Sequence, residues 1–355
     1  MPSILINTPQ EAEETKQLLS QPLPKYRQAY SDRTAWLLAC IAELSYIKFN
    51  SLFKNTSQEL LIKEVQRLLK EKKVEPLMRL IDWVGYDPVQ ELNKLIENIE
   101  FLNLRLIKTF DHQGTQAILL NNDEYLFLAF RGTEGNSVQD LKSDAHAVRM
   151  KCESGGNIHS GFYHAFNSIF IDIISVLKQP EYQAKPLFIT GHSLGGALAT
   201  VAAKKIKHTG GIAACYTFGS PRVGDALWAE TLKTPVYRIV NAADPVTMFP
   251  PGAETVGLIA WFCGLVPHFG PSIKAKILSN FGGYYHMGDM RYLTNCEPGA
   301  YDTVKLMFSV SWWYRVKAYF FKKLSFLALP ADHSIAVYRR KLKVIAQQRN
   351  NLNNE

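Results

Sequence analysis

The stretch GHSLGGA, Gly191 to Ala197, places a serine between an apolar run and a helical pattern. Lys185 to Thr190 reads as a short buried strand, and Leu194 to Ile206 is apolar at helical spacing. The turn between them is sharp, and Gly191, Gly195 and Gly196 leave room for it, so Ser193 stands at the head of a helix in a nucleophile elbow. A hydroxyl is a poor nucleophile until a base takes its proton, and the base works best when a buried acid fixes its tautomer. Asp244, in NAADPVTMFPP, lies just past the strand pattern VYRIV and 51 residues beyond Ser193. Asp225, in FGSPRVGD, is a rival acid in a Gly-rich turn farther from a strand end. Two histidines can serve as base: His333 in LPADHSIAVYRRKL and His286 in GGYYHMGDMRYL. Chemistry alone does not separate them, because either could instead bond backbone. An oxyanion hole needs two donors where charge develops. The N–H of Leu194 supplies one, and Thr133, at the end of LFLAFRGTE, offers the other.

The elements that must position these residues are legible in outline. Residues 1–30 are polar and broken by Pro22 and Pro24, which predicts a loose arm. Residues 31–100 read as a helical addition, with helices over Thr34–Phe49 and Ser57–Val84. Then LRLIKTF, TQAILL and EYLFLAF read as consecutive strands, and PLFIT, IAACYTF and VYRIVN as further strands separated by helices. The pattern predicts an α/β domain over 101–355 whose sheet starts antiparallel and continues parallel, with insertions at about 252–282 and 304–329.

The chain has 355 residues, 47% hydrophobic, enough for a full-sized core. Its five cysteines lack CxxC spacing, so neither a disulfide framework nor a zinc motif is indicated. The first residues lack the basic start and apolar core of a signal peptide, and no apolar run is long enough to span a bilayer. The expected location is therefore cytoplasmic or membrane-peripheral, with leaderless export the remaining route. The net charge of +8 favours anionic partners. Nucleic acid is disfavoured, because the basic residues accompany bulky apolar ones and no nucleic-acid motif is present.

The motifs AFRGTE, IHSGFYHAF, ITGHSLGGALA, YTFGSPRVGD and YRIVNAADPVTMFPP occur in this order. The chain thereby resembles the class 3 lipases, a branch of the α/β-hydrolases, over about residues 100–295 and the final helix. The resemblance implies Ser193 as nucleophile, Asp244 as acid, and Thr133 with Leu194 as oxyanion donors. It also implies His333 as base, since HSIAVY, ending at Tyr338, matches the family's H-S-x-x-x-Y context. His286 remains in reserve, and His159 reads as structural. The implied activity is hydrolysis of acyl esters of glycerolipids, acylglycerol or phospholipid, with no cofactor and no metal. The rivals are a soluble esterase or acyltransferase and a non-catalytic binding scaffold. The family's lid position here holds the polar GNSVQDLKSDAHAV.

Two further segments bear on lipid contact. Glu254–Gly270 carries one charge, at its first residue, and its apolar core could pack or cover the site. Val304–Leu329 has eight aromatics, five basic residues and no acid, and reads as a partly amphipathic basic helix suited to an anionic membrane surface. Oligomeric state has no signature in the chain.

Overall fold

Runs of aliphatic and aromatic residues seven or so long favour strands that bury both faces, and such runs recur from residue 105 onward. A computed structural model of the chain describes residues 4–23, 28–48, 58–74, 76–77, 87–112, 114–133, 149–242, 244–250, 252, 283–297, 299–311, 313–315 and 329–354. Strands β1 (Arg105–His112), β2 (Thr115–Asn121) and β3 (Leu126–Phe130) form an antiparallel meander. Its turns follow local chemistry: Gly114 has φ 79°, and the Asn122 side chain accepts the N–H groups of Glu124 and Tyr125.

Beyond β3 the sheet is parallel. Two short strands, β4 (Arg149–Lys151) and β5 (Asn157–His159), precede β6 (Leu187–His192), which lies beside β3. After it come β7 (Ile212–Phe218), the two-residue β8 (Gly224–Asp225) and β9 (Val236–Asn241). The chain continues with β10 (Tyr284–Tyr285), β11 (Asp289–Leu293) and β12 (Leu306–Met307). The main sheet has the order β1-β2-β3-β6-β7-β9-β11-β12, parallel from β3 to β11, and β10-β8-β5-β4 form a small second sheet.

Period-2 alternation along the strands divides the core into two layers. Ile118, Leu120, Phe127, Phe188, Tyr216 and Phe218 face one side; Leu119, Leu126, Leu128, Phe130, Ile189 and Cys215 face the other. Helices α5 (Ser160–Leu177) and α6 (Leu194–Lys205) cover the second side. Helix α5 is long and apolar enough to cross a membrane by length and composition, yet it buries Phe162, Phe166, Ile169 and Ile173 in this core.

The first side is covered by the N-terminal region and by the last helix. These elements are α1 (Pro9–Leu19), α2 (Asp32–Leu44), α4 (Pro88–Phe101) and α9 (Ile335–Asn354), with α3 (Gln58–Lys70) between α2 and α4 in the chain. Helix α2 is apolar all round and buried from Thr34 to Leu44, so it is a layer of the sandwich itself rather than an appendage. The expected loose arm is also corrected. Pro9 sits in the first turn of α1, where its missing N–H costs nothing, Thr8 caps that turn, and Leu5 and Leu18 are buried. Reading proline only as a breaker hides such a start.

The helix expected over Ser57–Val84 ends at Lys70. Lys72 takes φ 52° and the Lys73 N–H turns back to Leu68 O, satisfying an end carbonyl. A second correction concerns Val304–Leu329. Its start is the edge strand β12, antiparallel to β11, with bonds exchanged between Thr294 and Lys305. The open edge of β11 is satisfied by this pairing, which outweighs helical spacing. Residues 313–315 form a helical turn, and 316–328 lie outside the described residues. So do the lid-position segment 135–148 and nearly all of 252–282. The remaining short helices, α7 (Ala226–Glu230) and α8 (Leu329–Asp332), follow β8 and precede His333.

Candidate active site

Ser193 is the hinge between β6 and α6, at φ 56° and ψ −126°, a conformation costly for a residue with a Cβ. The fold imposes it. Its N–H is held by Phe218 O at 2.9 Å, and Gly195 lies against the backbone of β3, where an added Cβ would stand 2.2 Å from Phe130 O. Ser193 is 1% exposed and cannot relax outward.

The structure brings Ser193, His333 and Asp244 into one chain of hydrogen bonds. His333 Nε2 lies 2.9 Å from Ser193 Oγ, and His333 Nδ1 lies 3.0 and 2.9 Å from the two carboxylate oxygens of Asp244. An ionised carboxylate only accepts, so Nδ1 carries the ring proton and Nε2 is the lone pair facing the hydroxyl. This is the tautomer a general base requires. Asp244 is fully buried and held by two more donors: Val246 N–H to Oδ1 at 2.9 Å and Tyr338 O–H to Oδ2 at 2.6 Å. Tyr338 is on α9, three residues past the start of that helix, and His333 lies two residues before it, so the N-terminal end of one helix positions both the base and the acid's orienter. Burial and the Asp244 carboxylate push the Tyr338 hydroxyl well above its ordinary pKa, so it stays a donor. Gly219, at φ 58°, lets the backbone pass beside the pair; a Cβ there would stand 2.6 Å from Asp244 Oδ2 and 3.0 Å from His333 Nδ1.

His192, next to the nucleophile, has a supporting place that sequence reading did not assign. Burial first, then neighbouring His333, hold it well below the usual histidine range, so it is neutral. Its Nε2 donates to His333 O at 2.6 Å, which leaves Nδ1 to accept the Tyr46 hydroxyl at 2.8 Å. The backbone of the proposed base is thereby tied to the residue beside the proposed nucleophile. The only sequence signal for it was membership of the motif itself.

The remaining candidates fall elsewhere. Asp225 is a structural cap: Oδ1 accepts Trp228 N–H, and Oδ2 accepts the backbone and side-chain amides of Asn157. His286 Nε2 donates to Thr247 O at 2.7 Å, on the loop after Asp244. Burial, with Arg238 and Arg222 nearby, holds it well below the usual histidine range. His159 caps α5 and stacks on Phe162 with ring centroids 4.0 Å apart. Leu194 opens α6, where a backbone N–H has no acceptor within its own helix. Thr133 is exposed; the register of Phe130 against Gly191 carries residues 131–133 out beside the elbow. Among the described residues, no group of three His, Cys, Asp or Glu side chains could hold a metal.

Comparison with known proteins gives a consistent picture. Residues 127–254 match the family model described as Lipase (class 3). A relative named secreted mono- and diacylglycerol lipase 1, from Fusarium solani, is 39% identical over 104 residues, which are 28% of this chain and 31% of that protein. A lipase from Rhizomucor miehei is 30% identical over 167 residues, 42% of this chain and 46% of that protein. The chain thus spans about a third to a half of the length of the curated relatives it matches. A crystal structure of a mutant MDLA from Penicillium cyclopium covers 92% of this chain and 96% of its own, with TM-score 0.51 and 18% identity. The fold is that of an α/β-hydrolase, and the expectation of a mostly parallel central sheet holds.

Proposed function

We propose that this chain, whose residues 127–254 match the class 3 lipase family model, is a serine carboxylester hydrolase acting on acyl esters of glycerolipids. The observation that carries this reading is the hydrogen-bond chain from Ser193 Oγ through His333 to buried Asp244, set on a strained elbow. Ser193 Oγ attacks the ester carbonyl while His333 Nε2 takes its proton. The oxyanion rests on the N–H groups of Leu194 and Thr133, and the protonated imidazole returns the proton to the departing alcohol. Water, deprotonated by His333, then attacks the acyl-serine and releases the fatty acid. The Asp244 carboxylate keeps the hydrogen bond from Nδ1–H and stabilises the imidazolium throughout.

The test is intact-protein mass after treatment with a fluorophosphonate. The parent is expected to gain one adduct, Ser193→Ala none, and His286→Ala one, because His286 faces Thr247 O rather than the hydroxyl. A parent that stays unlabelled with detergent or liposomes present would move the binding-scaffold reading into first place.

Among glycerolipids, the names of four relatives point to mono- and diacylglycerols. One observation favours a membrane-surface substrate as the second reading. Phe308, Trp313 and Tyr314 are exposed, and the Arg291 guanidinium lies over the Phe308 ring at 5.0 Å. An aromatic face with cations at hand fits an anionic interface. We therefore assign the 304–315 region as the membrane-facing side, and a peripheral location to the protein. Flotation is expected to recover more protein with anionic than with neutral liposomes, and less as salt rises; equal recovery from both would remove the electrostatic part of this reading.

A further inference from the structure

The loop that carries Asp244 is gripped by cations. Arg222 donates through Nη1 to Met248 O and Pro250 O, at 2.5 and 2.6 Å. Arg315, 4% exposed, donates to Asp244 O and to Thr247 Oγ1. His286 donates to Thr247 O. Arg238, on β9, completes the cluster: its charge acts on His286 and is itself opposed by Arg315 and Arg222. Three guanidinium groups are thus collected around one imidazole, against one seven-residue stretch of chain.

A clamp on loop carbonyls accounts for only part of this. The buried Nε and Nη1 of Arg238 and the buried Nε of Arg315 have no hydrogen-bond partner. No described carboxylate lies within ion-pair reach of either guanidinium. Asp244 is committed to His333, Tyr338 and Val246, and Asp289, exposed at the start of β11, acts on Arg238 only from a distance. Burial and the two neighbouring arginines depress Arg238 to about 9. Buried charges in folded proteins are paired, and a guanidinium fork matches the planar edge of an oxyanion. Tyr285, whose charge acts on Arg238, is 56% exposed and lines, with Asp289, a neighbouring cavity of about 580 Å3 that the arginines themselves do not line.

We propose that Arg238 and Arg315, with Arg222 and His286 beside them, form a binding site for a phosphate-type oxyanion that braces the Asp244 loop. The anion accepts from the three unpartnered guanidinium nitrogens and cancels the mutual repulsion of the arginines. Because Arg315 and His286 hold residues 244–247 from the same cluster, occupancy stiffens the backbone on which the proposed acid stands. Arg315 meets Asp244 at its backbone carbonyl, whereas His333 meets its carboxylate, so the cluster touches the loop through groups other than those that face the base.

The experiment is thermal unfolding in phosphate-free buffer, titrated with inorganic phosphate against sodium chloride of matched ionic strength. The parent is expected to melt about 4 °C higher at a hundredfold excess of phosphate over its Kd, with saturation. Arg238→Met is expected to lose that rise. In the absence of phosphate it should melt no lower than the parent, because an uncompensated buried charge has been removed. Arg238→Lys, which keeps the charge without the fork, is expected to show a rise at least threefold smaller. Equal phosphate stabilisation in parent and Arg238→Met, or none in the parent, overturns the site. So does an Arg238→Met variant that melts well below the parent in phosphate-free buffer, since that would make the cluster a plain structural clamp. Glycerophosphocholine in place of phosphate separates the sources: stabilisation by both assigns the site to a lipid headgroup, and stabilisation by phosphate alone assigns it to the free anion.

Discussion

Ser193→Ala and His333→Ala are each expected to lower kcat/KM for a soluble ester by about 10^4-fold or more, and the double variant by no more than the worse single. The reason is geometric. Ser193 Oγ and His333 Nε2 share one 2.9 Å bond, and neither does its work without the other: an unactivated hydroxyl is a weak nucleophile, and a base without a hydroxyl has only water to activate. The expected loss is about 5.5 kcal/mol of transition-state stabilisation, and the residual rate comes from the oxyanion donors and binding. Steady-state kinetics on the four proteins measure this. Losses that multiply in the double variant would mean that the two residues act independently, and the hydrogen-bonded pair would not be the reacting unit.

Asp244→Asn is expected to cost about 10^4-fold in kcat with little change in KM, although the residue is a single atom type away from the parent. In the parent, three donors converge on this carboxylate: His333 Nδ1–H, Tyr338 O–H and Val246 N–H. An amide has one oxygen to accept and one NH2 to donate. If the NH2 faces the ring, it demands a bare Nδ1, so the proton moves to Nε2 and the base is lost. If it faces Val246, two N–H groups are opposed in a site with no access to water. The second arrangement also costs about 1–3 kcal/mol of stability for an unpaired buried donor. Kinetics and thermal unfolding together separate the two, and a loss in kcat below about tenfold would show that the carboxylate does not set the tautomer.

The site was more legible in the sequence than the scaffold that holds it. Gly191, Gly195 and Gly196 around Ser193 announce a backbone that must turn sharply and pack closely, and a turn of that kind depends on few residues. The acid could be ranked because a residue just past a strand end is a local property. The two histidines could not be ranked by chemistry, since the choice depends on where α9 docks against β6 and β9, some 140 residues from the elbow. Resemblance to a family chose His333, and the structure places that ring, rather than His286, against the hydroxyl. The scaffold was misread for tertiary reasons. α1 has too few apolar residues to declare itself and is held by long-range contacts such as Lys343 with Glu14. β12 has a helical pattern of residues and is drawn into an edge strand by β11. The arginine cluster has no sequence signature, because Arg222, Arg238, His286 and Arg315 come from four separate segments.

The docking of α9 orders events in time. That helix carries Tyr338, anchors Arg339 to buried Glu43 of α2 and to Leu5 O, and sets Lys341 on Asn241 at the end of β9. A ribosome releases the elbow 140 residues before it releases the base. The hydrolase proposed above therefore gains its base only when α9 has been made and has docked on α1 and α2, elements that lie some three hundred residues earlier in the sequence.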